Sequence, residues 1–248
     1  MFLHQLGYEQ RVFWRTREAA VFVFIFPLLL YALLGTVYSG EVDGRPSQDV
    51  LLAGILGYAA ANTGLGGLAI TLVVRREAGL LKRLRATPLP PGTYLASVLA
   101  STFLVFALQS VALLTLGRLG FGASMPASWP GFAGAIVLGV ACFAGLGVGA
   151  ASLIRSAEGV SAVVNVIILP MAFLSGAFGP TREFPSFLQA IADVLPLTYY
   201  LEVVSRVYLD GSSLHAFPGA LAIVVAWGVV GAIVAWRRFG WAPRARAG

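Results

Sequence analysis

Long apolar stretches, separated by short polar and basic segments, dominate this chain of 248 residues. Each stretch is close to the roughly 20 residues that an α-helix needs to cross the hydrocarbon core of a membrane. The pattern predicts six transmembrane spans, at residues 19–38, 50–74, 93–117, 131–154, 160–179 and 217–236. We therefore expect an all-α polytopic membrane protein, with residues 1–248 forming one transmembrane domain.

The composition agrees with lipid as the main solvent of the chain. Hydrophobic residues make up 58% and charged residues 11%, whereas a soluble domain carries about 25% charged residues. The single cysteine, Cys142, lies in an apolar stretch, which excludes an intrachain disulfide and a cysteine-rich metal site. The net charge of +6 comes from basic residues at the ends of the stretches. That placement indicates a membrane surface and not nucleic acid.

The distribution of Lys and Arg predicts the orientation, because cytoplasmic flanks retain these residues. Most of the 17 basic residues lie on one side of the predicted membrane: Arg11, Arg15, Arg17, Arg75, Arg76, Lys82, Arg83, Arg85, Arg155, Arg237, Arg238, Arg244 and Arg246. The others are Arg45, Arg118, Arg182 and Arg206. Both termini are therefore expected in the cytoplasm. No short apolar run with a cleavage site precedes Arg11, so we expect no cleaved signal peptide.

Two cytoplasmic segments have helical patterns of their own. Residues 1–18 gather apolar side chains in one sector of a helical wheel, which predicts an amphipathic helix in the inner interface. Residues 75–92 carry leucines at helical spacing among basic residues and stop at a proline cluster. This second pattern predicts a short amphipathic helix. A basic topology anchor explains the same residues, and both interpretations stay open.

The external segment 180–210 is too long for a turn and too polar for a seventh span. Pro185 and Pro196 divide it into short helical pieces. Such pieces dip part way into a membrane when protein covers their freed backbone groups. The segment is therefore predicted to be a re-entrant helical hairpin, with an amphipathic surface loop as the alternative.

The absence of certain side chains and motifs from the predicted spans excludes or disfavours several classes of function. They contain no Asp, Glu, Lys, Arg or His, which disfavours ion-driven antiporters and voltage sensors. No phosphate-binding loop occurs, since the only lysine, Lys82, lies between Leu81 and Arg83. If ATP drives this protein, another polypeptide must bind it. His4 and His215 lack a metal-ligand spacing and no nucleophile elbow occurs, so we expect neither a catalytic nor a metal site.

A few polar residues do lie inside the predicted spans: Asn62, Thr63, Thr71, Gln109, Ser161, Asn165 and Ser175. Hydrogen bonding and close packing between helices is the simpler role for any one of them. Asn165 shares its span with Met171 and Phe173, and is the best candidate to line a path across the membrane.

Two stretches resemble the permeases of ABC-2-type transporters. The run RREAGLLKRLRATPL at 75–89, followed by Tyr94 and Leu95, resembles the cytoplasmic segment after the second span of that family. The runs LPMAFLSGAF at 169–178 and LPLTY at 195–199 resemble its fifth span and its external re-entrant hairpin. With the six-span pattern, the resemblance covers nearly the whole chain. It is strongest to small bacterial drug-resistance exporters.

The resemblance implies roles for particular residues. Those of the ATPase-coupling helix would be Glu77, Gly79, Leu80, Leu81, Lys82, Arg83, Leu84 and Arg85. The first and fifth spans would line the interface between permeases, where substrate crosses. Candidate path residues are Phe22, Phe26, Tyr31, Asn62, Asn165, Met171, Phe173 and Phe178. The re-entrant hairpin would include Pro185, Leu195, Pro196 and Tyr199.

The resemblance also implies partners and a location. We expect a multi-pass subunit of the bacterial plasma membrane that pairs with a second permease, an identical copy, and with two cytoplasmic ATPase subunits carrying ATP and Mg²⁺. The chain itself would hold no cofactor. The expected function is export of hydrophobic or amphipathic small molecules of the drug type. Export of a lipid, glycolipid or polysaccharide is the alternative, and a membrane scaffold without a transport path is a third.

Overall fold

A computed structural model of the protein describes residues 1–38, 40–42, 44–84, 86–181 and 184–240. Over these residues the fold is all-α apart from one small hairpin of strands β1 (Glu41–Val42) and β2 (Arg45–Pro46). The α-helices are α1 (Phe2–Arg15), α2 (Arg17–Ala19), α3 (Phe26–Val37), α4 (Ser47–Ala61), α5 (Leu68–Glu77), α6 (Leu80–Leu84), α7 (Pro91–Phe121), α8 (Trp129–Leu153), α9 (Val160–Leu174), α10 (Ser186–Ala192), α11 (Pro196–Asp210) and α12 (Pro218–Arg238).

The remaining helical elements of the described residues are two π-helices and one 3₁₀-helix. Two π-helices, π1 (Ala20–Ile25) and π2 (Asn62–Gly67), join helices into continuous spans. A 3₁₀-helix at Leu214–Ala216 precedes α12. π-Helical turns are rare in proteins overall, and many of those that occur lie at functional sites. Their presence in the first and second spans makes these two spans candidates for a functional role.

Within the described part of the chain, five helices are long and apolar enough to cross a membrane. They are Ala20–Val37, Ser47–Glu77, Pro91–Phe121, Trp129–Leu153 and Pro218–Arg238. These correspond to the first four and the last of the predicted spans. The predicted all-α polytopic membrane fold is confirmed, because apolar stretches of this length form helices that satisfy their own backbone groups.

The region of the fifth predicted span is built differently from the others. Helix α9 ends at Leu174 after 15 residues, which gives about 22 Å of rise against a hydrocarbon core of about 30 Å. Gly176 lies in the left-handed region at φ 82°, a conformation that glycine adopts readily where a helix stops. Helices α10 and α11 follow, bent by 78° relative to each other. This bend is compatible with a broken span or a re-entrant loop.

The helix from Ser47 to Glu77 is the core of the fold. Every side chain from Leu51 to Ala61 is buried, because neighbours approach this helix from several directions. Glycines make the approach possible: the carbonyl of Ala177 lies against Gly54, and the backbone of α8 lies against Gly64. Small residues at helix interfaces are how membrane helices gain packing where lipid removes the hydrophobic driving force.

Helices α8 and α12 pack closely against each other through glycines on both helices. A Cβ atom at Gly145 would lie 2.6 Å from the carbonyl oxygen of Gly228, and one at Gly149 would lie 2.7 Å from that of Gly231. Side chains of any size would therefore push the two backbones apart. The pair holds the last span against the centre of the protein.

This packing predicts opposite effects for two Gly→Ala changes on α12. Gly231→Ala places a methyl group 2.6 Å from backbone atoms of Gly145, so we expect a loss of about 1–3 kcal/mol in stability from overpacking. Gly219 has open space around it, and Gly219→Ala should be neutral or slightly stabilising because alanine favours helices. Thermal unfolding of the detergent-purified variants measures the difference. Equal midpoints for the two variants would contradict the packing role.

Candidate functional site

A buried ion pair ties helix α1 to the carboxyl end of the second span. The guanidinium of Arg75 lies 2.7 Å from a carboxylate oxygen of Glu9 on α1, and it also donates to the hydroxyl of Tyr94 on α7 at 3.0 Å. Glu9 is only 3% exposed. A buried pair of this kind is strongly destabilised when one partner is lost, because the other charge stays uncompensated. Three elements therefore meet at Arg75.

A second contact holds α1 along α7. The side-chain amide of Gln10 donates to the backbone carbonyl of Ser101 at 3.1 Å and bonds its hydroxyl at 2.9 Å. Two large apolar side chains of α1, those of Leu3 and Trp14, stay exposed. Exposed apolar side chains are the feature that an interfacial helix presents to lipid.

Arg76 links the same end of the second span to the fourth span. It is 1% exposed, and its guanidinium donates to the carbonyls of Ala151 at 2.7 Å and Ile154 at 2.6 Å. These carbonyls lie at the carboxyl end of α8, where helical carbonyls have no donor from the helix itself. Arg76 thus caps the carboxyl end of α8. Its positive charge also interacts favourably with the negative end of the α8 helix dipole.

The predicted coupling helix begins where the second span ends. Gly79, at φ 69°, turns the chain from α5 into α6. Leu81 on α6 is fully buried within the protein, whereas Leu80 is 37% exposed and Lys82 and Arg83 are exposed. The leucines of the predicted coupling helix therefore do not share one environment. Leu81 packs into the protein and anchors α6, whereas Leu80 is partly exposed.

The remaining members of the predicted coupling segment flank α6. Glu77 lies 3.7 Å from the Arg76 guanidinium, and Leu84 packs partly against the core. Arg85 lies outside the described residues. The exposed surface of α6 is therefore one leucine beside two basic side chains.

A groove of about 370 Å³ runs between the first span and α9. Its described lining consists of Phe26, Leu30, Leu34, Tyr38, Leu169, Phe173, Phe178, Gly179, Pro180 and Phe184. No Asp, Glu, Lys, Arg or His belongs to this set. Ligand sites that are mostly apolar with few polar groups are typical for hydrophobic small molecules.

Aromatic rings line part of this groove and pack against one another. The Phe173 and Phe178 rings are 4.8 Å apart, edge to face, and Tyr58 stands 5.2 Å from Phe178 and 6.3 Å from Phe26. Edge-to-face rings at these distances attract each other beyond the area that they bury. Phe26, Phe173 and Phe178 of this cluster line the groove, and Tyr58 packs behind them in the core.

The structure divides the predicted path residues. Phe26, Phe173 and Phe178 come together in the groove. Phe22 is exposed next to Phe26, their rings 6.4 Å apart. Asn165 is exposed on α9.

The other three path candidates face protein. Tyr31 is fully buried, with its ring 5.3 Å from that of Phe121. Met171 is 5% exposed in the core. The side-chain amide of Asn62 donates to the backbone carbonyl of Phe22 at 3.0 Å.

Side-chain hydrogen bonds hold the hairpin of α10 and α11 in its bent form. The Thr198 hydroxyl donates to the carbonyl of Ala192 at 2.7 Å, and the Tyr199 hydroxyl donates to that of Asp193 at 2.7 Å. The indole of Trp227 on α12 donates to the carbonyl of Val194 at 3.1 Å. Backbone groups freed at the bend thus find protein partners, as a buried break in a membrane helix requires.

The predicted hairpin residues stand at these junctions. Pro185 precedes α10, and Leu195 and Pro196 mark the start of α11. Proline is favoured at the first helical position, where its missing N–H costs nothing.

Several groove residues were missed by sequence reasoning, although a signal for them exists. Phe26, Leu30, Leu34 and Tyr38 follow one another at intervals of four, as do Leu169 and Phe173. Residues four apart lie on one helix face. Reading the faces of the first and fifth spans, and not only their polar residues, would have found this stripe.

Comparison with known proteins gives one family match over most of the chain. The family model described as "ABC-2 type transporter" matches residues 5–209. YvfS of Bacillus subtilis, whose name describes it as a transport permease, is 23% identical over 75% of this chain and 76% of its own length. The linearmycin resistance permease protein LnrN of the same organism is 26% identical over 66% of this chain and 42% of its own.

The inner membrane transport permease YhhJ of Escherichia coli is 21% identical over 63% of this chain and 42% of its own length. The chain therefore spans less than half of YhhJ and of LnrN. The family model includes the segment around α6, the groove and the bent hairpin, but not α12.

Proposed function

This chain belongs to the ABC-2 type transporter family, and from that membership we propose that it is the membrane permease subunit of an ATP-driven exporter of hydrophobic or amphipathic small molecules. ATP and Mg²⁺ would bind to two separate ATPase subunits in the cytoplasm. A second, identical permease would complete the pathway. The complex would lie in the bacterial plasma membrane.

The groove between the first span and α9 is the observation that supports this substrate class. Its described lining is apolar and aromatic, with the Tyr38 hydroxyl as the one polar side-chain group. An ionised ligand would lose its hydration there without a compensating charge, so the groove favours uncharged molecules or uncharged portions of amphipathic ones. LnrN, a relative, is named for resistance to linearmycin, which agrees with a drug-type substrate. The same lining also suits an acyl chain, and export of a lipid is the second candidate.

The cytoplasmic face of α6 supports coupling to a separate ATPase. Leu80 is partly exposed beside the exposed Lys82 and Arg83, while Leu81 fixes the helix to the permease. A helix held from inside can pass on a displacement applied to its outer face. The buried contacts of Arg75 and Arg76 would then distribute that displacement to α1, α7 and α8.

We predict that the groove side of α9 determines transport. Phe173→Ala removes a ring from the aromatic cluster, and ATP-driven transport of the uncharged dye Nile red into inside-out vesicles should fall about tenfold, as for a central binding residue. The matched control is Val166→Ala, which truncates an exposed residue of the same helix outside the groove lining and should transport normally.

A fluorescent phosphatidylethanolamine, tested in the same vesicles, distinguishes the two candidate substrates. Its transport without that of Nile red would favour the lipid exporter. If the wild-type complex with the ATPase subunit of its own genome moves neither probe, the proposed function fails.

We predict that Leu80 is the apolar contact of α6 with the ATPase. Leu80→Asp should lower co-purification of the ATPase at least tenfold, because a buried leucine contributes about 1.5–3 kcal/mol and about 1.4 kcal/mol is a factor of ten. Thr87→Asp, in the same loop, adds the same charge without removing an apolar contact. Retention of the ATPase by Leu80→Asp, or its loss in both variants, would contradict a specific contact at Leu80.

The orientation with both termini in the cytoplasm makes a third prediction. Glu41 and Thr87 are both exposed, and the excess of basic residues places the loop at Glu41 outside and the loop at Thr87 inside. In intact cells an impermeant maleimide should label Glu41→Cys and spare Thr87→Cys, whereas lysed cells should give labelling of both. Native Cys142 is buried and contributes little background. Labelling of Thr87→Cys in intact cells would reverse the orientation.

A further inference from the structure

A proline interrupts the first span just after its π-helical turn. Pro27 is the second residue of α3 and directly follows π1 and Phe26. Because proline lacks a backbone N–H, residue 27 donates neither to the carbonyl four residues earlier, as in an α-helix, nor to the one five residues earlier, as in a π-helix. Those carbonyls belong to Val23 and Phe22. Inside a membrane no water takes the place of a lost donor.

Side-chain amides from two other spans donate to these same carbonyls. The amide of Gln109 on α7 donates to Val23 at 2.6 Å and, more weakly, to Phe24 at 3.2 Å. The amide of Asn62 in the second span donates to Phe22 at 3.0 Å. The two carbonyls that lose a donor because of Pro27 are therefore the ones that receive these amides. General packing between helices does not explain this match.

A third polar side chain joins the two amides. The hydroxyl of Thr63 donates to the side-chain oxygen of Gln109 at 3.0 Å, so both ends of the Gln109 amide are engaged. Gln109 is 0% exposed and Thr63 is 3% exposed. We call Asn62, Thr63 and Gln109 the amide clamp. It connects the second and third spans to the backbone of the first at its weakest point.

The second span carries the clamp near its middle and leads into α6 at its carboxyl end. Asn62 and Thr63 begin π2, and the helix continues without a break through α5 to Glu77 before the turn into α6. The two π-helical turns also pack closely, since a Cβ atom at Gly67 would lie 3.3 Å from the Val23 side chain. A rotation or shift of the second span therefore acts on the first span through hydrogen bonds and direct contact at the same level.

We propose that the amide clamp transmits displacement of α6 to the first span. It fixes the bend at Pro27 and carries the outer part of the span, Phe26–Val37, along with the second span. That outer part supplies Phe26, Leu30 and Leu34 to the groove, and Tyr38 follows it directly. The clamp therefore sets the position of one groove wall. Asn62, Thr63 and Gln109 act as positioning residues and do not touch the substrate. This inference rests on the proposed function.

The test measures the bend directly, with spin labels at Val37 and Leu119 in a Cys142→Ser background. Both positions are exposed, at 71% and 82%, and lie near the outer ends of the first and third spans. Gln109→Leu removes the amide and keeps the approximate volume. The matched control is Ser110→Ala on the same helix, because Ser110 is 1% exposed and its hydroxyl donates at 2.8 Å to Phe106, within α7 itself.

In the purified permease alone, we expect a narrow distance distribution for the wild type and for Ser110→Ala, and a broadened one for Gln109→Leu. Bound to its ATPase, the wild type should shift its distance with ATP and vanadate, whereas Gln109→Leu should bind the ATPase and lose the shift. Nile red transported per ATP hydrolysed should fall about tenfold, in the range of measured couplings. Thr63→Val, a milder change, should move each readout in the same direction.

A double variant separates transmission from simple repair of the proline break. Pro27→Ala restores the N–H, so Pro27→Ala with Gln109→Leu should recover the narrow distribution but not the ATP-driven shift. Recovery of the full shift would overturn the proposal, and so would an unchanged distribution in Gln109→Leu. If the wild-type complex transports no probe, the proposed function fails while the label distances still decide the clamp. If no ATPase binds, the width of the Gln109→Leu distribution decides it.

Discussion

The hydrocarbon core of a membrane offers no hydrogen-bond partner to a backbone group that its own helix leaves unsatisfied. Several side chains of this protein supply such a partner. The carbonyls at the end of α8 receive the Arg76 guanidinium. The bend between α10 and α11 receives an indole from Trp227 and a hydroxyl from Thr198. At these two places side chains donate to carbonyls where a helix ends or is bent. Asn62 and Gln109 do the same for the first span at Pro27.

The same constraint explains why glycine has such weight in the packing. Association of helices in lipid gains little from hydrophobic burial and depends on close contact. In α8, glycines face α12 on one side and the second span on the other. The fourth span therefore packs against both the second span and the last helix. The first span and α9 keep exposed apolar faces. The groove lies between those less tightly packed elements.

Sequence reasoning predicted the membrane fold because helix rise and bilayer thickness alone fix the length of an apolar span. It did not place the end of α9 at Leu174, since residues 176–179 contain no polar side chain and hydropathy does not report a left-handed turn at Gly176. It also grouped Leu81 with Leu80, because helical spacing identifies a face but not the neighbour that covers it. The π-helical turns could not be predicted either, because π-helices and α-helices do not differ in amino-acid composition. Asn62 was singled out, yet its partner, the carbonyl of Phe22, carries no side-chain signature.

The docking of α1 has a consequence for how the chain is made. Glu9 and Gln10 are synthesised early, but their partners Arg75 and Ser101 come much later, Ser101 by 91 residues. Helix α1 therefore cannot reach its final place until the second span and the start of the third have been made. Until then its apolar face has only the lipid surface as a partner. The buried ion pair between Glu9 and Arg75 can therefore form only after the first two spans have been made.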